Sequence, residues 1–310
     1  MNTSGIACGI GAYALWGLMP LYLKLLSSAG EIEILAHRIV WSLVVVAIIV
    51  MATRTTRPFR ALDRRAYLLL ALAAALITVN WGTYIWAVVS DQVVEAALGY
   101  FINPLLTVAL GVVVLRERLR AHQWVAIGLA AAGVAVLTVG YGRPPWIALI
   151  LATSFAVYGL VKKKADIGAV TSLGVETAIL FPCALGYLIA VDLSGDAAFV
   201  RHGWSISVLF AASGLVTAVP LLLFNAAAVR VPLSVLGPLQ YITPTTQFLL
   251  GVLLYGEHVS PVRMAGFVLI WLALAVLTGG LLVRRRQLRR RAPPSDDAIG
   301  APVQTPARRP

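Results

Sequence analysis

Two stretches of this chain, set 140 residues apart, read as copies of one apolar unit. The first is clearest from Leu98 to Leu119, LGYFINPLLTVALGVVVLRERL: an apolar run interrupted by Gly99, Asn103 and Pro104 and closed by Arg116, Glu117 and Arg118. Laid without gaps on the second copy, Pro104 falls on Pro244, Gly111 on Gly251, Glu117 on Glu257, and Leu137-Thr138 on Leu277-Thr278. From Pro104 to Thr138, 10 of 35 positions are identical. Shared apolar composition accounts for some matches, but it does not place a proline, a glycine and a glutamate in one frame. The pattern predicts a duplicated membrane unit in which each copy carries a broken helix at mid-membrane, an arrangement from which transporters build substrate sites.

Composition supports a membrane chain. Hydrophobic residues make up 60% and charged residues 12%, against about 25% charged in a soluble domain. Ten apolar blocks of spanning length fit, at 5–25, 34–53, 66–90, 93–115, 122–141, 145–164, 169–191, 204–226, 232–255 and 260–283. Only Ser90-Asp91-Gln92 and Glu95 separate the third block from the fourth. The first block lacks a basic leader and a small-residue cleavage site, so it reads as a retained span. Cys8 and Cys183 lie inside apolar runs and have no metal spacing.

Lys and Arg set the orientation. With the N-terminus inside, 18 basic residues fall on the inner side, and only Lys24, Arg38, Arg143, Arg201 and Arg263 on the outer. Both termini are therefore expected in the cytoplasm. Five spans per copy, an odd number, invert the second copy relative to the first. This gives a first repeat over 1–141, a second over 142–283, and a basic tail over 284–310, rich in Pro and Arg and too poor in apolar residues to bury a core. The net charge of +12 is explained by inner-side anchoring and that tail, not by a nucleic-acid surface.

No catalytic constellation emerges. His37, His122, His202 and His258 form no metal-spaced pair, and no phosphate-binding glycine loop occurs. What remains is polar and aromatic side chains at membrane depth, which are costly in hydrocarbon and face a cavity or one another. Tyr13, Trp16, Pro20 and Lys24 share one helix face, as do Asn80 and Tyr84 (with Trp81 beside them), then Tyr100, Asn103 and Thr107, then Tyr158 and Lys162. Pro232, Pro238 and Pro244 break the backbone around Gln240 and Tyr241. For each there is a plainer role: Trp and Tyr anchor at interfaces, and Asn and Gln tie helices together.

Two charges stand out. Arg38, next to His37, lies near the outer end of the second span; Glu176 lies ~9 Å from the inner end of the seventh at 1.5 Å per residue. Inverted repeats put them at opposite depths, so each requires a local partner: Glu95 for Arg38, and Lys162 or Lys164 for Glu176. The expectation is two gates that close alternately.

The same residues carry a family likeness. NWGTYIWAV (Asn80–Val88), LGYFINP (Leu98–Pro104), GVVVLRERL (Gly111–Leu119), AHRIVWS (Ala36–Ser42), AVYGLVKKK (Ala156–Lys164), LGVETAILFP (Leu173–Pro182) and LGPLQYITP (Leu236–Pro244) resemble the RarD branch of the EamA transporters, within the drug/metabolite transporter superfamily. The resemblance covers about 5–283, with Asn225 a departure where a small apolar residue is expected. It implies ten transmembrane helices in two inverted five-helix repeats around a central cavity, in a bacterial inner membrane. It implies transport of a small molecule, amphipathic or aromatic, chloramphenicol-like or amino-acid-like, with no enzyme activity, cofactor or nucleic-acid partner. Export driven by an ion or substrate gradient is the leading expectation, since no ATP-binding motif is present. Protons are the candidate coupling ion, with His37 and Glu176 as carriers. Uptake or exchange is the alternative within transport, and a non-transporting sensor or assembly protein the alternative outside it.

Overall fold

A computed structural model describes residues 3–54, 59, 62–115, 121–228, 230–231, 236 and 238–291. Its helices are α1 (Thr3–Gly17), α2 (Met19–Leu25), α3 (Glu31–Thr53), α4 (Arg64–Val89), α5 (Val93–Leu115), α6 (Ala121–Tyr141), α7 (Trp146–Ala165), α8 (Ala169–Ser194), α9 (Trp204–Ala228), α10 (Ile242–Leu249) continued by a π-helical turn (Leu250–Leu254), and α11 (Pro261–Arg291). No strand occurs among the described residues. Among the described residues nine helical segments, counting α1–α2 as one, are long and apolar enough to cross a membrane.

Helix boundaries follow local chemistry. Asp63 caps α4 by accepting from the Ala66 N–H at 2.7 Å. Helix α8 stops at Gly195, whose φ of +89° suits a residue without Cβ. Between α4 and α5 the chain turns in three residues, with Asp91 at φ +55°. That is the weakly marked separation of the third and fourth blocks.

Two expectations change. The first-copy helix is not broken: α5 runs through Pro104 without interruption. A single proline removes one backbone bond and can be absorbed inside a packed bundle. The second copy is broken, with a turn at Gln240–Tyr241 before α10. Pro238 and Pro244 act there together, and the apolar helix that follows, Ile242–Leu254, is short. Pro232 lies outside the described residues, as do the Arg116–Arg118 cluster and 292–310. At the C-terminus α11 continues to Arg291 rather than ending near 283. Arg, Gln and Leu are good helix formers, and cations suit a helix C-terminus.

The closest packing joins the two halves of the chain. Helix α6 packs on α11, α5 and α4 on α7, α3 on α8 and α9, and α1 on α9. Small residues permit the tightest crossings. A Cβ on Gly214 would come within 2.3 Å of the Trp41 carbonyl oxygen, and one on Gly99 within 2.9 Å of the Ala148 carbonyl oxygen. Large apolar side chains such as Ile48, Leu68, Val139, Ile189 and Leu215 point outward, as a lipid-facing perimeter requires. Interior side chains therefore come from both halves.

Candidate functional site

Arg38 lies at the start of the third turn of α3 and is 6% exposed. Its Nε donates to Thr217 Oγ1 of α9 at 2.9 Å. Its guanidinium sits over the Trp81 ring of α4, 4.1 Å from the centroid. Tyr84, three positions on from Trp81, lies one turn along the same helix. From there rings lead across the bundle: Tyr84 to Tyr100 at 5.7 Å, Tyr100 to Phe155 at 6.2 Å, Phe155 to Tyr158 at 5.9 Å between centroids. The first two contacts are edge-to-face, a favoured arrangement of ring quadrupoles.

The row ends on the second charged group. Glu176, 2% exposed, accepts from Lys162 Nζ at 2.7 Å, Ser172 Oγ at 2.8 Å and Tyr158 Oη at 3.2 Å. Lys162 also bonds Ser172. Tyr158 and Lys162 are one turn apart on α7, Ser172 and Glu176 one turn apart on α8, so two helix faces assemble the cluster. Of the two partners foreseen for Glu176, Lys162 is the one engaged.

Glu95 does not serve Arg38. It accepts from Arg143 Nη2 at 2.9 Å and from the Ile147 N–H at 3.1 Å. The reason is local: Arg143 lies in the α6–α7 turn, and Ile147 offers one of the unpaired amides at the start of α7. Two more carboxylates behave alike. Glu257 accepts from the Val93 and Val94 N–H groups, 2.6 and 3.0 Å, at the start of α5. Glu33 accepts from the Ala198 and Phe199 N–H groups, 2.8 and 3.1 Å, in the α8–α9 connection. Lys24 pairs with Asp91 at this same end. Burial pushes the Glu257 carboxyl above its ordinary value, against the two amides that favour its charged form.

The remaining expected residues divide. Asn80 is a tie between helices: its amide donates to the Leu151 carbonyl and to Ser154 Oγ, both at 3.0 Å. The Trp16 ring meets Tyr13 edge-on and Phe224 at a tilt, and its carbonyl accepts from Gln247 Nε2 at 3.1 Å. Tyr241 approaches Thr278 Oγ1 at 3.4 Å, and Gln240 lies half-buried at the turn before α10. Asn103 is half-buried, its Oδ1 without a partner among the described residues. The His37 ring packs on Phe210 and Phe199 at 4.2 and 4.7 Å, with Nε2 4.0 Å from Glu33.

Thr217, Glu33 and Gln247 went unmarked by the sequence, and Arg143 was counted only as an outer-side cation. Glu257 was visible only as a repeat marker, though a carboxylate just past an apolar helix is itself a cue to a capped neighbour. Among the described residues no cluster of His, Cys, Asp or Glu could hold a metal ion.

Comparison with known proteins gives a consistent result. The model of the EamA-like transporter family matches twice, over residues 3–139 and 144–279. The chain is 53% identical to Protein RarD of Streptomyces exfoliatus, over 99% of this chain and 97% of that one. It is 42% identical to Protein RarD of Escherichia coli K12, over 91% and 96%. A Pseudomonas aeruginosa relative named chloramphenicol-sensitive protein RarD is 32% identical over 94% and 99%. A solved structure described only as a crystal structure of a protein superposes with a TM-score of 0.58 at 20% identity, covering 92% of this chain and all of that one. That likeness concerns the fold alone.

Proposed function

The chain belongs to the EamA-like transporter family, as a RarD-type member, and from that premise we propose that it is a secondary transporter exporting small amphipathic or aromatic molecules across the bacterial inner membrane. The observation that carries this reading is the row Tyr84, Tyr100, Phe155 and Tyr158 between Arg38 and Glu176. Its members come from α4 and α5 in one half and α7 in the other. Aromatic faces offer apolar contact to a flat ligand while the groups at either end supply polarity.

Alternating access is the mechanism. Ten helices act as two inverted repeats, 1–141 and 142–283, with the tail 284–310 and both termini in the cytoplasm. The Lys162–Glu176 cluster then belongs to the inner side. The Lys24–Asp91 pair, with the carboxylates Glu33, Glu95 and Glu257, belongs to the outer side. Rocking of one repeat against the other exchanges which side is fastened. Glu176 and the Glu33–His37 pair are the proton-carrying candidates. Chloramphenicol-like compounds and aromatic amino acids are the substrates to try, the former on the strength of the Pseudomonas relative's name. The chemistry is movement of a ligand, without a covalent step.

The test is flux. Purified protein in liposomes is expected to move radiolabelled chloramphenicol or an aromatic amino acid, faster with a proton gradient directed inward on the substrate-exit side. Absence of flux for the whole panel, with folded protein and intact vesicles, rejects the transport reading. Flux only toward the cytoplasmic side makes it an uptake system. Reporters fused after Arg291 and within 196–203 should lie in opposite compartments; a shared compartment rejects the inverted arrangement.

A further inference from the structure

A buried arginine in a membrane bundle is expected to face a carboxylate or a phosphate. Arg38 faces neither among the described residues. Glu95, the partner expected for it, holds Arg143 and Ile147 instead, and Glu33, five positions earlier on α3, holds Ala198 and Phe199. No ion pair among the described residues includes Arg38. Thr217 occupies Nε, and the Trp81 ring covers the plane of the guanidinium. The Nη edge, which donates most naturally in parallel pairs to an oxyanion, has no protein acceptor among the described residues. Hydroxyl and ring are neutral, so no protein carboxylate among the described residues balances the charge of this largely buried side chain.

The surroundings narrow what would complete it. Tyr84 Oη is buried with no hydrogen-bond partner among the described residues, so a second donor stands unused one turn along α4 from the Trp81 ring that covers the guanidinium. Tyr22, by contrast, is spent on the Leu209 carbonyl at 2.8 Å. Beyond Tyr84 the wall is aromatic through Tyr100 and Phe155. A guanidinium edge, one free phenol and flanking rings suit a planar oxyanion attached to an aromatic or other apolar body.

We propose that Arg38 is the anchor of a substrate site selective for aromatic monocarboxylates, held by the Arg38 Nη edge and the Tyr84 hydroxyl with the ring against Tyr100 and Phe155. This deepens the transporter reading by naming the substrate class. It is tested by binding without flux, so the two stand or fall separately.

The probes are 3-phenylpropionate and its neutral amide, titrated calorimetrically into the full chain in phosphatidylcholine nanodiscs, where no anionic lipid competes. The acid is expected to bind tighter by about tenfold or more, the usual worth of a hydrogen-bonded charge. Arg38→Gln should abolish that preference, and Arg38→Lys should keep part of it. Tyr84→Phe should weaken the acid and leave the amide unchanged. Thermal unfolding of ligand-free protein separates anchoring from scaffolding. An uncompensated charge destabilises its surroundings, so Arg38→Gln should unfold at the same temperature as the wild type or higher. Equal binding of acid and amide overturns the proposal, as does no binding of either. A preference for the acid that survives in Arg38→Gln, or preference for inorganic phosphate over 3-phenylpropionate, overturns it as well. A marked fall in the unfolding temperature of ligand-free Arg38→Gln would assign Arg38 to the scaffold instead.

Discussion

Glu95 and Glu176 are each 2% exposed and each paired with a basic side chain, yet they are held differently. Glu95, like Glu33 and Glu257, accepts from backbone amides of another segment. Among the described residues Glu176 accepts only from side chains, those of Lys162, Ser172 and Tyr158. An amide at a helix start cannot turn away without moving its helix, and the partial positive charge there favours the carboxylate. A lysine, a hydroxyl and a phenol leave by changing rotamer. One set of contacts therefore fastens whole helices, and the other can dissolve with little backbone movement. The conformation seen is fastened firmly at the end bearing Asp91 and Arg143, and reversibly at the end bearing Lys162.

The comparison breaks most easily at Glu95. Glu95→Ala should lower the free energy of unfolding in detergent by about 2–4 kcal/mol, through an unpaired Ile147 amide, a lost ion pair and a small void. The figure is discounted because Arg143 is 43% exposed and can turn to water. A loss below half a kcal/mol would mean the amides are not fastening anything. Glu257→Gln comes next, at about 1–2 kcal/mol, since the amide oxygen can still accept once from Val93 or Val94. Glu176→Gln should cost about 1 kcal/mol or less, because Lys162 keeps Ser172 and has a long stem with a route to solvent. A stability loss equal to that of Glu95→Ala would erase the distinction between the two ends.

The smallest effect sharpens the comparison by sign. Burial holds the folded Glu257 carboxyl above its ordinary value of 4.5. The protonated form is therefore the better fitted one, and its contribution is complete below that value and lost as pH rises through the folded value. Thermal unfolding followed as pH rises above 4.5 should show the wild type losing stability relative to Glu257→Gln. The opposite slope would show that the Val93 and Val94 amides outweigh burial.

Much of this architecture was readable from residues alone. Apolar blocks placed the long helices because hydrocarbon allows few ways to satisfy a backbone. Lys162 and Glu176 announced themselves as charges in apolar surroundings, 14 positions apart on adjoining helices. The partner of Glu95 was not readable: Arg143 lies 48 positions away in a turn, with nothing periodic to connect them. Glu257 and Val93, 164 positions apart, and Glu33 and Phe199, 166 apart, lie further still beyond any local pattern. The Pro104 helix was misjudged for another reason. A proline reports a lost hydrogen bond, but whether the helix bends or absorbs the loss depends on neighbours that the local sequence does not contain.

The π-helical turn Leu250–Leu254 acts as an indexing step. Tyr255 donates its N–H to the Leu250 carbonyl at 2.9 Å, five residues back, so the turn holds one residue more than an α-helix would. Each residue advances an α-helix by about 100°, and that extra residue sets the bearing on which Glu257 leaves the membrane. It arrives under the start of α5, where Gly251 leaves it room: a Cβ there would lie 2.6 Å from Val94 Cγ2 and 3.4 Å from Glu257 Oε1. Deleting one residue between 250 and 254 would keep every side chain the capping contact uses and still abolish it, by pointing Glu257 elsewhere around the barrel of the helix.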